Sequence, residues 1–196
     1  DFHHGAILHY LPAGLASPAE LANKHVGVNR GYTVTTGVWA RAIIQEEYNV
    51  DLSSVTWCPS GDEHVEDYRA PDNVKPLKHS DLKTAMACGD IVGAVGAKID
   101  HPDVATMYED PFAVGVAAYK GRGLYPINHT VVVRDDLLAE KPDVALQVFN
   151  AFTESKNLYV AALSGGGSTD AEQVHLAVMN DTPDPLPYGI SPNRDT

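Results

Sequence analysis

The stretch HVGVNRGYTVTTGVWARAIIQEEYNVDLSSVTWC, residues 25–58, decides the fold. His25-Val26-Gly27-Val28 is short and mostly apolar and reads as a buried strand, running into a polar, glycine-bearing turn from Asn29 to Thr36. Apolar residues at helical spacing then predict a helix from about Thr36 to Tyr48. After a turn at Asn49 to Ser53, the β-branched and aromatic run Ser54-Val55-Thr56-Trp57-Cys58 predicts a second strand. Further out, Ser80 to Cys88 carries a Ser cap, helical spacing of Leu82, Ala85 and Met86, and a stop at Gly89. Asp90 to Gly96 follows as a third strand of small residues. The order β-α-β-α-β predicts a parallel, right-handed doubly wound lobe whose ligand edge lies at the C-terminal ends of its strands.

Upstream, Gly5 to Tyr10 reads as a strand, and Ser17-Pro18-Ala19-Glu20 has the chemistry of a short helix start. Downstream, His101 to Gly123 reads as linker with a helical piece near Phe112 to Tyr119. Asn128 to Arg134 reads as a strand. A helix from Asp136 or Pro142 to about Ala162 follows, with an apolar stripe of Leu146, Phe149, Ala151, Phe152 and Leu158. The glycine-rich run at Ser164 to Ser168 breaks the pattern, and a tail rich in Pro and Asp ends the chain.

With 196 residues, 44% of them apolar and 20% charged, the composition is that of an ordinary globular protein. A formal charge of −12, with only 14 Lys and Arg, argues against a nucleic-acid surface. An anionic ligand must therefore be held by local donors. Cys58 and Cys88 fit no metal or C-x-x-C spacing and read as reduced thiols. No apolar run reaches the roughly 18 residues of a membrane span, and the first residues do not resemble a secretory signal.

Hydroxyls and backbone N–H groups gather at Thr33 to Gly37, where a helix begins, and such an end favours carboxylate or phosphate. Thr35 and Thr36 are the candidate ligands there, with a plain N-cap role as the alternative. Arg30, just after the strand, and Arg41, one turn inside the helix, are candidate partners for an anion. Asp62-Glu63-His64 is a polar cluster on a loop, suited to acid–base work or a metal, or simply solvated. Asn128 and His129 precede a predicted strand, and a histidine there can move a proton near neutral pH or be a packed structural residue. His3, His4 and His9 could form a metal patch, with His4 the one expected to face a cleft.

Several blocks resemble the 4,5-dihydroxyphthalate decarboxylase family: VGVNRGYTVTTGVWARAIIQEEYNVDLSSVTW (26–57), DEHVEDYRAPDNV (62–74), GDIVGAVGA (89–97) and GLYPINHTVVVRDDLLAEKPDVALQVFNAF (123–152). The opening FHHGAILHY resembles a family segment that has Arg where His3 stands and His where His4 stands. Asn23 replaces a glycine often found before the Lys24 position, a change a turn should tolerate. The resemblance implies an α/β, type 2 periplasmic-binding-protein-like fold of two doubly wound lobes around a cleft. It assigns 1–22 to lobe 1 and the crossover, 23–122 to lobe 2, and 123–196 to the return to lobe 1 with a C-terminal helix and tail. Family chains begin with a further βα segment and continue past PYGISPNR, so the first lobe is expected to be incomplete.

The activity so implied removes one carboxylate from 4,5-dihydroxyphthalate, leaving protocatechuate and carbon dioxide, in the cytoplasm and without an organic cofactor. A divalent metal and a homo-oligomer stay open. On this reading His129 and His64 transfer protons, and Arg30, Thr35, Thr36, Arg41, Asn128 and His4 bind the aromatic substrate. The competing reading is a periplasmic solute-binding protein that hands a carboxylate to a transporter permease without chemistry.

Overall fold

A computed structural model describes residues 2–194 except 66, 124, 164, 167, 168 and 183. The chain divides into two compact units, Phe2–Gly115 and Val116–Thr196.

The first unit is built on a five-stranded sheet of order β3-β2-β4-β1-β5. Its strands are β1 (Ile7–Tyr10), β2 (His25–Val28), β3 (Thr56–Pro59), β4 (Gly93–Val95) and β5 (Val104–Thr106). β2 pairs in parallel with both β3 and β4, as the sequence pattern predicts. β1 instead lies antiparallel between β4 and β5, making the sheet mixed. The residues assigned from sequence to the opposite lobe and its crossover thus hydrogen-bond into this sheet, and the expected linker supplies its edge strand.

Alternation along the strands sends side chains to two faces. Ile7, Trp57 and Val95 join one core cluster with Ala40, Ile43 and Ile44 of helix α1 (Thr35–Tyr48). Leu8, Cys58 and Ala94 join another with Leu82, Ala85 and Met86 of helix α2 (Leu82–Ala87). The result is three layers, helix on sheet on helix. Helix α2 is capped by Asp81, whose carboxylate accepts from the Thr84 amide, rather than by Ser80. Asn23 stands at φ 60°, the left-handed conformation a glycine adopts freely and Asn tolerates.

Helix α3 (Pro111–Arg122) runs from the first unit into the second, which contains α4 (Asp135–Glu140), α5 (Val144–Leu163) and α6 (Asp170–Met179). Of the two starts expected for the helix ending near Ala162, the later one agrees with α5, and α4 is a separate short helix; the break falls around Pro142, whose ring cannot continue a helix interior. Helix α6, read from sequence as part of a tail, starts at a full capping box in which Thr169 and Glu172 each accept from the other's backbone. The predicted strand at Asn128–Arg134 does not form. Val131 and Val132 are 64% and 85% exposed, and among the described residues no strand lies alongside to take their ladder bonds.

Candidate functional site

The parallel strands end on one edge of the sheet, and the loops leaving them meet around the start of α1. Asn29 ties two of these loops together, its amide nitrogen donating to Gly96 O at 2.9 Å and its backbone N–H to Val95 O. Gly96 has φ +74°, and a Cβ there would stand 3.2 Å from Gly37 N, so the chain passes tightly against the first turn of α1.

The N-cap of α1 is Val34, an extended residue that offers no capping side chain. A helix leaves its first N–H groups without internal partners. Among the described residues, the amides of Thr35, Thr36 and Gly37 and the hydroxyls of Thr35 and Thr36 have no acceptor or donor assigned to them. Neither threonine is spent on capping, and both side chains are half-buried.

Arg41 lies beneath this turn. Helical side chains lean toward the N-terminus, and residue i+4 covers residue i; Gly37, lacking a side chain, leaves room for the guanidinium. Arg41 is 5% exposed, its Nη2 donates to Tyr32 O at 2.7 Å, and its Cζ sits 3.8 Å from the Tyr32 ring centre and 5.6 Å from that of Trp57. Its Nη1 is buried with no hydrogen-bond partner, 3.3 Å from where a Gly37 Cβ would be. Burial pulls the guanidinium below its ordinary pKa, against the opposing pull of Tyr32, Tyr68 and Glu63. A buried donor left unsatisfied is costly in a stable core. One placed under an open helix N-terminus adds positive potential where the macrodipole already supplies it.

The loop after β3 contributes Glu63. Its carboxylate accepts from the Tyr32 amide, from the Thr33 amide at 3.1 Å and from the Thr33 hydroxyl at 2.6 Å. Gly31 makes this approach feasible, because a Cβ there would meet Asp62 O at 2.7 Å and the Glu63 carboxylate at 2.8 Å. Desolvation pushes the Glu63 pKa up, but the hydrogen bonds from Thr33 and Tyr32 and the charge of Arg41 prevail and hold it below the usual carboxylate range. A depressed folded pKa contributes stability that is full above the unfolded value and is lost as pH falls through the folded one. The contact is accordingly expected to survive neutral and mildly acidic conditions and to open only below the ordinary glutamate range. Hydrogen exchange at the Tyr32 and Thr33 amides, faster at mildly acidic pH than its intrinsic pH dependence allows, would contradict this.

Arg30 stands at φ 64° with its N–H on Ser60 Oγ at 3.0 Å, and its guanidinium donates to His64 Nε2 at 2.7 Å. A guanidinium only donates, so Nε2 accepts and the ring proton sits on Nδ1. Of the residues singled out from sequence, Arg30, Thr35, Thr36, Arg41 and His64 therefore gather at one strand-end edge.

His4 does not join them. It is buried, with Nε2 3.1 Å from both carboxylate oxygens of Glu47 and its ring against Tyr108. Glu47 lies about 18 Å along α1 from Thr35, so His4 packs at the far end of the helix, where the carboxylate holds its Nε2 while Nδ1 has no partner among the described residues. His3 is buried against Trp39, and His9 lies in β1; among the described residues no group of three or more His, Cys, Asp or Glu could hold a metal. Asn128, half-buried, and His129, exposed, belong to the second unit and precede α4 in a segment without regular structure. Sequence reasoning missed the Glu63 contact and the Tyr32–Arg41–Trp57 stack. The signal for the first was Gly31, a glycine beside a strand end where another backbone must come close.

The first unit is thus an α/β domain presenting an anion-ready helix start at the C-terminal edge of its parallel strands. In sequence the chain is similar to two proteins named 4,5-dihydroxyphthalate decarboxylase. It is 31% identical over 194 residues to the 4,5-dihydroxyphthalate decarboxylase of Comamonas testosteroni, covering 92% of this chain and 58% of that protein. It is 27% identical over 124 residues to the 4,5-dihydroxyphthalate decarboxylase of Pseudomonas putida, covering 56% of this chain and 48% of that one. The chain therefore spans about half the length of the curated relatives it matches. No protein-family model matches it. Among the described residues no helix is long and apolar enough to cross a membrane.

Proposed function

We infer that this protein acts as a carboxy-lyase on a dihydroxylated aromatic dicarboxylate, 4,5-dihydroxyphthalate, and binds a substrate carboxylate at the N-terminus of α1. The observation that carries the binding half is the buried, unpartnered Nη1 of Arg41 beneath the unpaired amides of Thr35, Thr36 and Gly37. The relatives' names support the choice of reaction and substrate. A type 2 periplasmic-binding-protein-like arrangement of two lobes suits such a ligand, and the mixed five-stranded α/β sheet is compatible with it.

The chemistry needs little beyond proton transfer. A base removes the proton of the ring hydroxyl para to the departing carboxylate, and electron density moves into the ring. An acid protonates the ring carbon that bears the carboxylate; the carbon–carbon bond then breaks, carbon dioxide leaves, and aromaticity returns. His64 and His129 are the proposed proton carriers, with Arg30, Thr35, Thr36 and Arg41 serving the carboxylates and Asn128 the ring substituents. The test is incubation with 4,5-dihydroxyphthalate while carbon dioxide and protocatechuate are followed. One of each per substrate consumed is the expected result, and saturable binding with the substrate recovered intact would leave a binding protein instead.

The binding half has its own test in Thr35→Pro. Proline is welcome at the first helical position, and Val34 at ψ 129° already has the conformation required before it. The change removes one N–H and one hydroxyl from the anion site while sparing the helix. Hydrogen bonds to a charged group contribute about 1.5–3 kcal/mol each, so affinity for phthalate is expected to fall about tenfold or more. An unchanged dissociation constant by calorimetry would place the carboxylate elsewhere.

A further inference from the structure

The loop before α1 offers two adjacent sets of anion donors, and only one is open. The amides of Thr35, Thr36 and Gly37 lack acceptors, whereas the Tyr32 and Thr33 amides and the Thr33 hydroxyl already hold a carboxylate, that of Glu63. The filled set has what the site would need for a second ligand carboxylate: two successive backbone N–H groups, a hydroxyl, and the charge of Arg41 close by, since Arg41 donates to the carbonyl of Tyr32 itself. Glu63 sits on a loop whose neighbours Asp62 and His64 are exposed, and its carboxylate is only partly buried. Its hold is polar rather than packed.

We propose that the Glu63 carboxylate is a placeholder for the second carboxylate of a vicinal dicarboxylate, which seats one carboxylate on Thr35–Gly37 and the other on Tyr32–Thr33 by displacing Glu63. This rests on the proposed binding of a carboxylate at α1 and adds a specificity rule to it. Two carboxylates on neighbouring ring carbons are close enough to bridge donor sets separated by a single residue, whereas a lone carboxylate has no reason to disturb Glu63. The chain's own anion also sets a cost on binding, because two like charges resist sharing one site.

Calorimetric titration of the protein with phthalate and with benzoate tests the placeholder. In Glu63→Ala the second donor set is empty, and phthalate is expected to bind about tenfold tighter than to the wild type while benzoate changes less than about twofold. Glu63→Gln keeps an acceptor for Tyr32 and Thr33, and so holds the loop, but removes the charge; a smaller gain specific to phthalate is expected, and this variant carries the test should the alanine variant fail to fold. If Glu63 only braces the loop, both variants bind both ligands equally or more weakly than the wild type, and the proposal falls. An equal gain for phthalate and benzoate also overturns it, pointing to general repulsion. Failure of the parent reading looks different: the folded wild type then binds neither ligand, or Thr35→Pro binds both as the wild type does.

Discussion

Arg41→Met is expected to cut affinity for phthalate roughly 30- to 100-fold while leaving the melting temperature unchanged or higher. The two halves have one cause. Arg41 is buried with one hydrogen bond, two aromatic faces and an Nη1 that no group satisfies. Replacing a poorly compensated buried charge by an apolar side chain of similar volume is often neutral or stabilising. The charge is nonetheless placed for use. An anion on the Thr35–Gly37 amides would lie within about 8 Å of it, and at an effective dielectric of about 20 this attraction is worth on the order of 2–3 kcal/mol. On this proposal Arg41 acts through the first turn of the helix, by charge, rather than by gripping the ligand. Calorimetry and thermal denaturation on the same preparation check both parts. A large loss of stability with intact affinity would make Arg41 a structural residue only.

His129→Ala is expected to lower the turnover of 4,5-dihydroxyphthalate by about 10²–10⁴-fold, the usual worth of a positioned proton donor or acceptor, with much less effect on substrate affinity. His129 is exposed in an irregular segment of the second unit, so its removal takes nothing from a core, and a fall in kcat at constant melting temperature would report chemistry. His64→Ala, assayed alongside, is expected to behave likewise. In the structure its Nε2 accepts from Arg30, which leaves it set to take a proton once that contact opens. A kcat within a few-fold of wild type for both variants would move the proton transfers to other groups.

The sheet was legible where local pattern and tertiary role agree. His25–Val28 is a strand at the predicted bounds, and α1 begins within one residue of its predicted start, because a buried parallel strand and an amphipathic helix carry distinct periods. Val104–Thr106 was not read as a strand: three residues on a sheet edge carry no period, and their pairing with Leu8–Tyr10 is a tertiary fact. Val131 and Val132 show the reverse, β-branched residues whose propensity is not matched by a neighbouring strand among the described residues. At the candidate site, the positions of Thr35 and Thr36 at the helix start and of Arg41 one turn inside it were readable because the helix carries its period locally. His4 was misplaced, since nothing local marks Glu47 as its partner 43 residues away. Glu63 was seen only as part of a polar cluster for the same reason: its donors lie 30 and 31 residues back in the chain.

Carboxylate binding at the start of α1 is the central proposal, and amide chemical shifts report it directly. Titrating isotopically labelled protein with phthalate is predicted to move the Thr35, Thr36 and Gly37 N–H resonances together and saturably, followed by those of Tyr32 and Thr33 as Glu63 is displaced. Saturable binding that leaves the three α1 amides unmoved, with shifts confined to other parts of the chain, would contradict it.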